Sequence, residues 1–451
     1  MRAQACWSRA GPPRATLVSQ AARLQAAGDH KPRLKSIIGG SAGNLVEWYD
    51  WFAYAGFALY FAPRFFPEGD RTAQLLSSAA IFAVGFLMRP LGAWIMGIYG
   101  DRHGRKAGLA VSVGLMFFGS LLIAVTPTYA TIGAAAPALL LLARMMQGLS
   151  VGGEYGASAT YLSEMAGPDR RGFVSSFQYV TLIAGQLLAL AVLLVLQAVM
   201  PEAELEAWGW RIPFAVGAVL ALLVYLLRRQ LAETAEWESL DRDAAPPSSI
   251  RHLWRAHRRP AILLAMMTAG GSSAFYAYTT YLQKYLVNTT GFDRQAATQV
   301  TALALLVFMG LQPLFGLLSD RVGRKPLLYA FGIGGLLVTV PVFNALATVE
   351  TGAGAFALAL IPLVVLAPYT AVGAIIKAEL FPAHIRTLGV ALPYALANAL
   401  FGGTAESVAL WFKAQGVEGA FGWYISALIA VALVAFILVP ESRRTSLIRH
   451  H

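Results

Sequence analysis

Cysteine is almost missing from this sequence: Cys6 is the single one in 451 residues. An internal disulfide is therefore excluded, and the fold has to stand on packing alone. Charge is scarce too. Asp, Glu, Lys and Arg make up 13% of the chain, against about 25% in soluble domains. That deficit argues against a water-solvated fold. The 57% of residues drawn from AVILMFWYC points instead to a bilayer as solvent. Histidine is sparse, and all seven (30, 103, 252, 257, 384, 450 and 451) fall in polar gaps or tails. A Ser–His dyad or a His-ligated metal at membrane depth has no residues to build it, and Cys6 is remote from the apolar runs. These absences disfavour an intramembrane enzyme. The runs also lack a filter-like loop between them, which disfavours a channel. The net charge of +11 could suggest nucleic acid, but the charges are confined to gaps, as in the basic loops of a membrane protein. No nucleic-acid partner, cofactor or metal is expected.

What the chain has is long apolar runs. Twelve can be drawn, from about 37–62 to about 420–439, each near the ~20 residues a spanning helix needs. They are too long and too continuous for barrel strands, so they predict helices, whose backbones are satisfied internally in lipid. The expected fold is an all-α membrane protein of twelve transmembrane helices. Residues 1–35 are rich in Ala, Arg and Gln and hold no signal-peptide core. They are expected to form a disordered cytoplasmic tail. With both termini inside, 26 of the 35 Lys and Arg fall on the inner side and six on the outer. That asymmetry sets the orientation. The widest polar segment contains "RDAAPPSSIRHLWRAHRR" and divides the runs six and six. The expected domains are bundles at 36–229 and 259–440, a cytoplasmic linker at 230–258 and a cytoplasmic tail at 441–451.

The halves repeat. "GIYGDRHGRK" begins at Gly97 and "GLLSDRVGRK" at Gly316, 219 residues apart, each between the second and third run of its half. "EMAGPDRRG" from Glu164 echoes "ELFPAHIRTLG" from Glu379 at an offset of 215, each with an Arg seven residues after the Glu. Two motifs at nearly one offset imply duplicated, pseudo-symmetric six-helix bundles of parallel topology.

The GxxxDRxGRK signature in both halves, with "RMMQG" at 144–148, resembles the major facilitator superfamily over nearly the whole chain after residue 30. "GNLVEWYDWFAY", "GFLMRPLGAW", "QGLSVGGEYGASATYLSE" and "AELFPAHIRTLGV" resemble its metabolite:proton symporter branch. "SFQYVTLIAGQLLAL", "WGWRIPFAVGAVLA", "TTYLQKYLVNT" and "ANALFGGTAESVAL" narrow the likeness to members that carry α-ketoglutarate. The resemblance implies a monomeric plasma-membrane (inner-membrane) symporter. It would import a dicarboxylate, α-ketoglutarate, with protons by alternating access. Citrate, shikimate, proline and betaine are the alternatives within the branch.

An ionisable group at membrane depth is costly and a functional candidate by default. Arg89 lies twelve residues before Asp101, roughly 18 Å up the helix at 1.5 Å per residue. Arg144 lies in the outer half of the fourth run. Their planar forks match carboxylates, so Arg89 and Arg144 could hold the two ends of a dicarboxylate, or bond helix carbonyls. Glu47 and Asp50, at i,i+3, share a helix face and are candidates for proton coupling or for an ion pair with Arg144. Tyr276, Thr279, Tyr281, Gln178, Tyr179, Gln186, Tyr394 and Asn398 could donate to carboxylate or keto oxygens, or make interhelical contacts. Asp101 with Arg105, Asp320 with Arg324, Glu164 with Arg171 and Glu379 with Arg386 read as cytoplasmic gate latches, or as solvated turns. Lys377, near the inner end of its run, would snorkel. Gly148, Gly152 and Gly156 read as a helix-packing stripe. Glu154 has no role beyond pairing.

Overall fold

The computed structural model describes residues 34–69, 71–167, 169–239 and 248–448. Residues 1–33, and with them most of the expected tail, lie outside the described residues. Among those described there is no strand, and the apolar runs close their backbone bonds within helices. We label the long ones α1 (Leu34–Phe65), α2 (Arg71–His103), α3 (Arg105–Val125), α4 (Ala135–Met165), α5 (Arg171–Val199) and α6 (Arg211–Arg229). The second set is α7 (Arg258–Tyr276), α8 (Arg294–Val322), α9 (Lys325–Leu346), α10 (Gly352–Glu379), α11 (Arg386–Ala397) and α12 (Ala420–Leu438). Two of them run on through a π-helical turn: α7 through Ala277–Tyr281 into Leu282–Asn288, and α11 through Asn398–Gly402, ahead of Ala405–Ala414. Between the sets lies a linker with a short helix at Ile250–Ala256.

Among the described residues, eleven helices are long and apolar enough to cross a membrane. The exception is α1. It has the length, at 32 residues, but Asn44, Glu47, Asp50 and several Trp and Tyr side chains dilute its apolarity. That polarity is what α1 delivers to the centre of the protein.

The packing partners repeat with a shift of six helices. In the first set α1 packs on α5, α2 and α3 on α4, and α3 on α6. In the second, α7 packs on α11, α8 and α9 on α10, and α9 on α12. Across the sets, α2 meets α11 and α5 meets α8. A shift of six turns one of these pairs into the other. The fold is therefore two six-helix bundles related by a pseudo-twofold axis between them, as the duplicated motifs predict.

Close approach depends on small residues. A Cβ on Gly148 would collide with the Gly85 carbonyl, and one on Gly152 with the Arg89 carbonyl, both on α2. A Cβ on Gly156 would collide with Ala391 on α11. The glycine stripe thus seats α4 against α2 and against the other bundle. Gly152→Leu is expected to cost about 1–3 kcal/mol through overpacking, read as a lower thermal midpoint in detergent. Gly114→Ala, where a Cβ meets open space, is expected to leave the midpoint unchanged.

Candidate functional site

Where the bundles meet, Asn44, Glu47, Trp48, Arg89, Tyr155, Tyr394 and Asn398 wall a cavity of about 20 Å³. That is room for a water or two, given the ~10–15 Å³ one water requires. A metabolite would need the walls to part. A larger cavity of about 300 Å³ lies between α1, α5, α7 and α8, farther along α1 from the linker, lined by Phe52, Gln186, Thr279, Gln283 and Lys284 among others.

Arg89 is 3% exposed. Its guanidinium lies 4.0 Å from the ring of Trp51 and 4.1 Å from that of Phe86, and its Nε has no hydrogen-bond partner. Lys377, on α10 of the second bundle, is fully buried. The Nζ donates to the Tyr155 hydroxyl at 2.7 Å and lies 4.4 Å from the Tyr394 ring. Those two rings stack at 3.6 Å with planes 8° apart. No carboxylate among the described residues lies in ion-pair range of Lys377 or Arg89. Two buried basic residues from opposite bundles are thus linked to one small cavity, Arg89 on its wall together with Glu47, and Lys377 through its hydrogen bond to Tyr155. Buried charge outside an ion pair is costly.

Lys377 corrects the snorkelling expectation. Side chains on a helix tilt toward its N-terminus. Because α10 ends at the linker face, that tilt carries Lys377 away from the surface and into the centre. Helix direction, readable from the expected topology, was the missed signal. Tyr155 was missed as well, because it stands beside Glu154 in the glycine-rich stretch and shows no periodic signal of its own.

Arg144 does not share the cavity with Arg89. It is fully buried inside the first bundle, with its guanidinium near the rings of Trp51 (4.6 Å), Tyr54 (4.3 Å) and Phe82 (5.1 Å). Trp51 contacts both arginines and fills the space where a common ligand would have to lie. Arg144 donates to Gln147 at 2.6 Å, Gln147 donates to Asp50 at 3.3 Å, and Ser120 also donates to Asp50. Asp50 is therefore enclosed by α3 and α4. Arg144 reaches it through Gln147, with no direct ion pair. Glu47, by contrast, is on the cavity wall and accepts from Ser150 at 3.2 Å. Three residues apart on α1, the two acids point about 60° from each other around its axis, enough to turn one to the cavity and the other into the first bundle. Glu154 gains an account: it pairs with Arg228, both fully buried.

Of the polar candidates, Tyr394 and Asn398 line the cavity. The π-helical turn that begins at Asn398 widens α11 there, as such turns do at functional positions. Tyr276 packs its ring on Trp48 at 6.1 Å, and its buried hydroxyl has no partner. Gln178 accepts from Ser158 at 2.6 Å while its Nε2 has no partner. Tyr179 is buried with its ring 5.8 Å from Phe275. Thr279 and Gln186 belong to the larger cavity.

The loop motifs gather at the linker face, buried rather than solvated. Asp101, ending α2, accepts the N–H groups of Thr387 (3.0 Å) and Leu388 (3.1 Å) at the start of α11 and pairs with Arg105 at 2.9 Å. Asp320, near the end of α8, accepts the N–H groups of Gly172 (2.8 Å) and Phe173 (2.9 Å) at the start of α5 and pairs with Arg324 at 3.0 Å. Each acid thus meets the positive end of a helix dipole in the opposite bundle. The Glu partners differ from the expected ones. Glu164 pairs with Arg386 at 2.6 Å and with Arg105 at 3.1 Å, not with Arg171. Glu379 lies 3.8 Å from Arg324, not with Arg386. The turn after Glu379 carries Arg386 onto α11, which abuts the first bundle, so its pair with Glu164 crosses, whereas Glu379–Arg324 stays within the second bundle. Sequence reasoning missed Glu233, which accepts the N–H groups of Arg105 and Lys106, and Glu236, 3.2 Å from Arg386. Burial pushes the Glu233 carboxyl up from its ordinary range, and its backbone hydrogen bonds pull it back. Glu441 repeats the pattern at Arg324 and Lys325. Asp101→Ala is expected to speed amide exchange at Thr387 and Leu388 by about 10- to 100-fold, the worth of hydrogen bonds to a charged group. Gly172 and Phe173 should stay protected; Asp320→Ala should reverse the pattern.

Comparisons with known proteins agree with this architecture. The profile of the family described as "Sugar (and other) transporter" matches residues 36–244 and 235–451. The chain is 52% identical over 411 residues to the alpha-ketoglutarate permease of Escherichia coli (strain K12), covering 91% of this chain and 94% of that one. It is 34% identical to a citrate-proton symporter of Salmonella typhi, covering 90% and 94%. It is 32% identical to the inner membrane metabolite transport protein YhjE of Escherichia coli (strain K12), covering 92% and 96%. Among solved structures, the major facilitator superfamily proton:xylose symporter XylE matches with a TM-score of 0.77 at 20% identity, over 92% of this chain and 97% of that one. At that identity the likeness speaks for the fold.

Proposed function

Because this chain belongs to the sugar (and other) transporter family of the major facilitator superfamily, we propose that it is a proton-coupled symporter that imports α-ketoglutarate. It is a transporter and not an enzyme. The observation that carries the substrate reading is the pair of buried basic residues, Arg89 and Lys377, one per bundle and neither in an ion pair among the described residues. Each end of a dicarboxylate would take one of them, which draws the bundles together around the ligand. Tyr276, Gln178 and Asn398 supply donors for the remaining oxygens. Citrate would bring a third carboxylate, for which the cavity wall offers no third cation. Proline and betaine carry one carboxylate and a cationic nitrogen, which would lie near the second cation.

Glu47 is the proton site in this reading. It shares the cavity wall with Arg89, and an arriving anion that engages that guanidinium competes with the acid for it, so that protonation of Glu47 accompanies anion binding. Coupling is also required energetically. A dianion entering against 100 mV costs about 4.6 kcal/mol, and co-transported protons cancel its charge. The linker face is assigned to the cytoplasm on the Lys and Arg asymmetry, with the protein acting as a monomer in the inner membrane. The crossed Glu164–Arg386 pair and the bonds of Asp101 and Asp320 to backbone amides of the opposite bundle form the gate that holds the inner side shut. The two bundles and the linker are the units that move.

Purified protein in proteoliposomes tests the function. Labelled α-ketoglutarate should accumulate under an imposed gradient, acid outside, and unlabelled α-ketoglutarate should compete better than citrate, shikimate, proline or betaine. Uptake that ignores the pH gradient, or that proline or betaine displaces first, would overturn the reading.

A further inference from the structure

One cluster at the linker face is not used by transport. His252 is on the helix Ile250–Ala256, His257 follows that helix, and His384 is in the turn Ala383–Ile385 ahead of α11. All three are half-buried. One ring nitrogen of each lies within 4.8 Å of the others. The rings form a triangle, with centroids 5.5, 5.5 and 6.1 Å apart. His252 Nε2 and His384 Nε2 are 3.3 Å apart. Two imidazoles on one tetrahedral zinc, each at about 2.0–2.1 Å, hold their nitrogens about 3.4 Å apart. That pair already spans an edge of the tetrahedron, and rotation of His257 closes a face. A simple His252–His384 hydrogen bond would leave His257 without a reason to be there.

We propose that His252, His257 and His384 are the protein ligands of a divalent transition-metal site of zinc class, which fastens the linker to the start of α11. The fourth position is left to water. The site has leverage because the chain on both sides of it makes the contacts between bundles. Ser248, four residues before His252, donates to Asp101 at 2.9 Å. The carbonyl of Ala383, beside His384, accepts from Arg105 at 2.5 Å, and Arg386 pairs with Glu164. A metal binding this arrangement stabilises it over one in which the linker face has opened. Loading therefore slows the transport cycle.

The test uses the full chain without a polyhistidine tag, stripped of metal by chelator. Titration with ZnCl2 should show one tight equivalent, weakened at least 10-fold in His252→Gln and in His384→Gln and unchanged in His103→Gln. CoCl2 should give tetrahedral d–d absorption that the same two substitutions abolish. In proteoliposomes, zinc on the linker side should slow uptake several-fold for the wild type and not for His252→Gln, with chelator restoring the rate. Zinc isotherms that superimpose for the wild type and the cluster variants would overturn the site and leave only a histidine hydrogen bond. A tight site whose loading leaves uptake unchanged would overturn the clamp.

Discussion

Lys377→Met is expected to remove α-ketoglutarate uptake and, at the same time, to raise the thermal midpoint. The two effects share a cause. Lys377 is fully buried with a tyrosine hydroxyl as its hydrogen-bond partner and no acid in ion-pair range. A charge in that position destabilises the empty protein, and an apolar side chain of similar length removes the penalty, by about 1 kcal/mol or more. With substrate present the sign reverses. Losing one partner of a desolvated ion pair costs about 2–5 kcal/mol, or roughly 30-fold or more in apparent affinity. Lys377→Arg keeps the charge and should retain part of the uptake. Initial rates in proteoliposomes and thermal unfolding in detergent measure the two halves. A midpoint that falls, with uptake intact, would mean that Lys377 is a structural tether to Tyr155 and that the anion is held elsewhere.

Glu47→Gln is expected to separate transport from its driving force. Glutamine keeps the volume and can still accept from Ser150 (3.2 Å in the wild type), but it cannot release or take up a proton. Counterflow of labelled against unlabelled substrate should continue at a rate within a few-fold of the wild type. Accumulation should vanish, so that the inner concentration rises no higher than the outer one. Asp50→Asn is the comparison. Asp50 is enclosed by Ser120 and Gln147, away from the cavity wall, and its neutral analogue should still accumulate substrate. Wild-type accumulation by Glu47→Gln with loss in Asp50→Asn would reverse the assignment and put the proton path through the first bundle.

The two acids show how far the sequence could be read. Their spacing put both on one face of α1, and both are buried near the middle of the protein. Which one reaches the cavity depends on how α1 is rotated against α3, α4 and α5, and nothing local fixes that. The arginines repeat the lesson. Depth counted along a helix put Arg89 near the midplane, and in the structure it lies on the wall of the cavity where the bundles meet. The same counting put Arg144 in the same space, where Trp51 in fact stands between them. Lys377 was misjudged because its distance from the helix end was counted and the tilt of its side chain was not.

Fold, duplication and the chemistry of the linker face were determined by the sequence alone. Apolar runs of spanning length, a twice-repeated GxxxDRxGRK and acids seven residues ahead of arginines are patterns written along the chain. A backbone in lipid can satisfy such runs only as helices. Tertiary packing decided the rest: that Glu164 meets Arg386 across the bundles, that Lys377 joins Arg89 at the centre, and that three scattered histidines converge. Position along a helix axis is fixed by residue number. The direction a side chain takes around that axis, and what stands opposite, is fixed by where glycines let neighbouring helices touch.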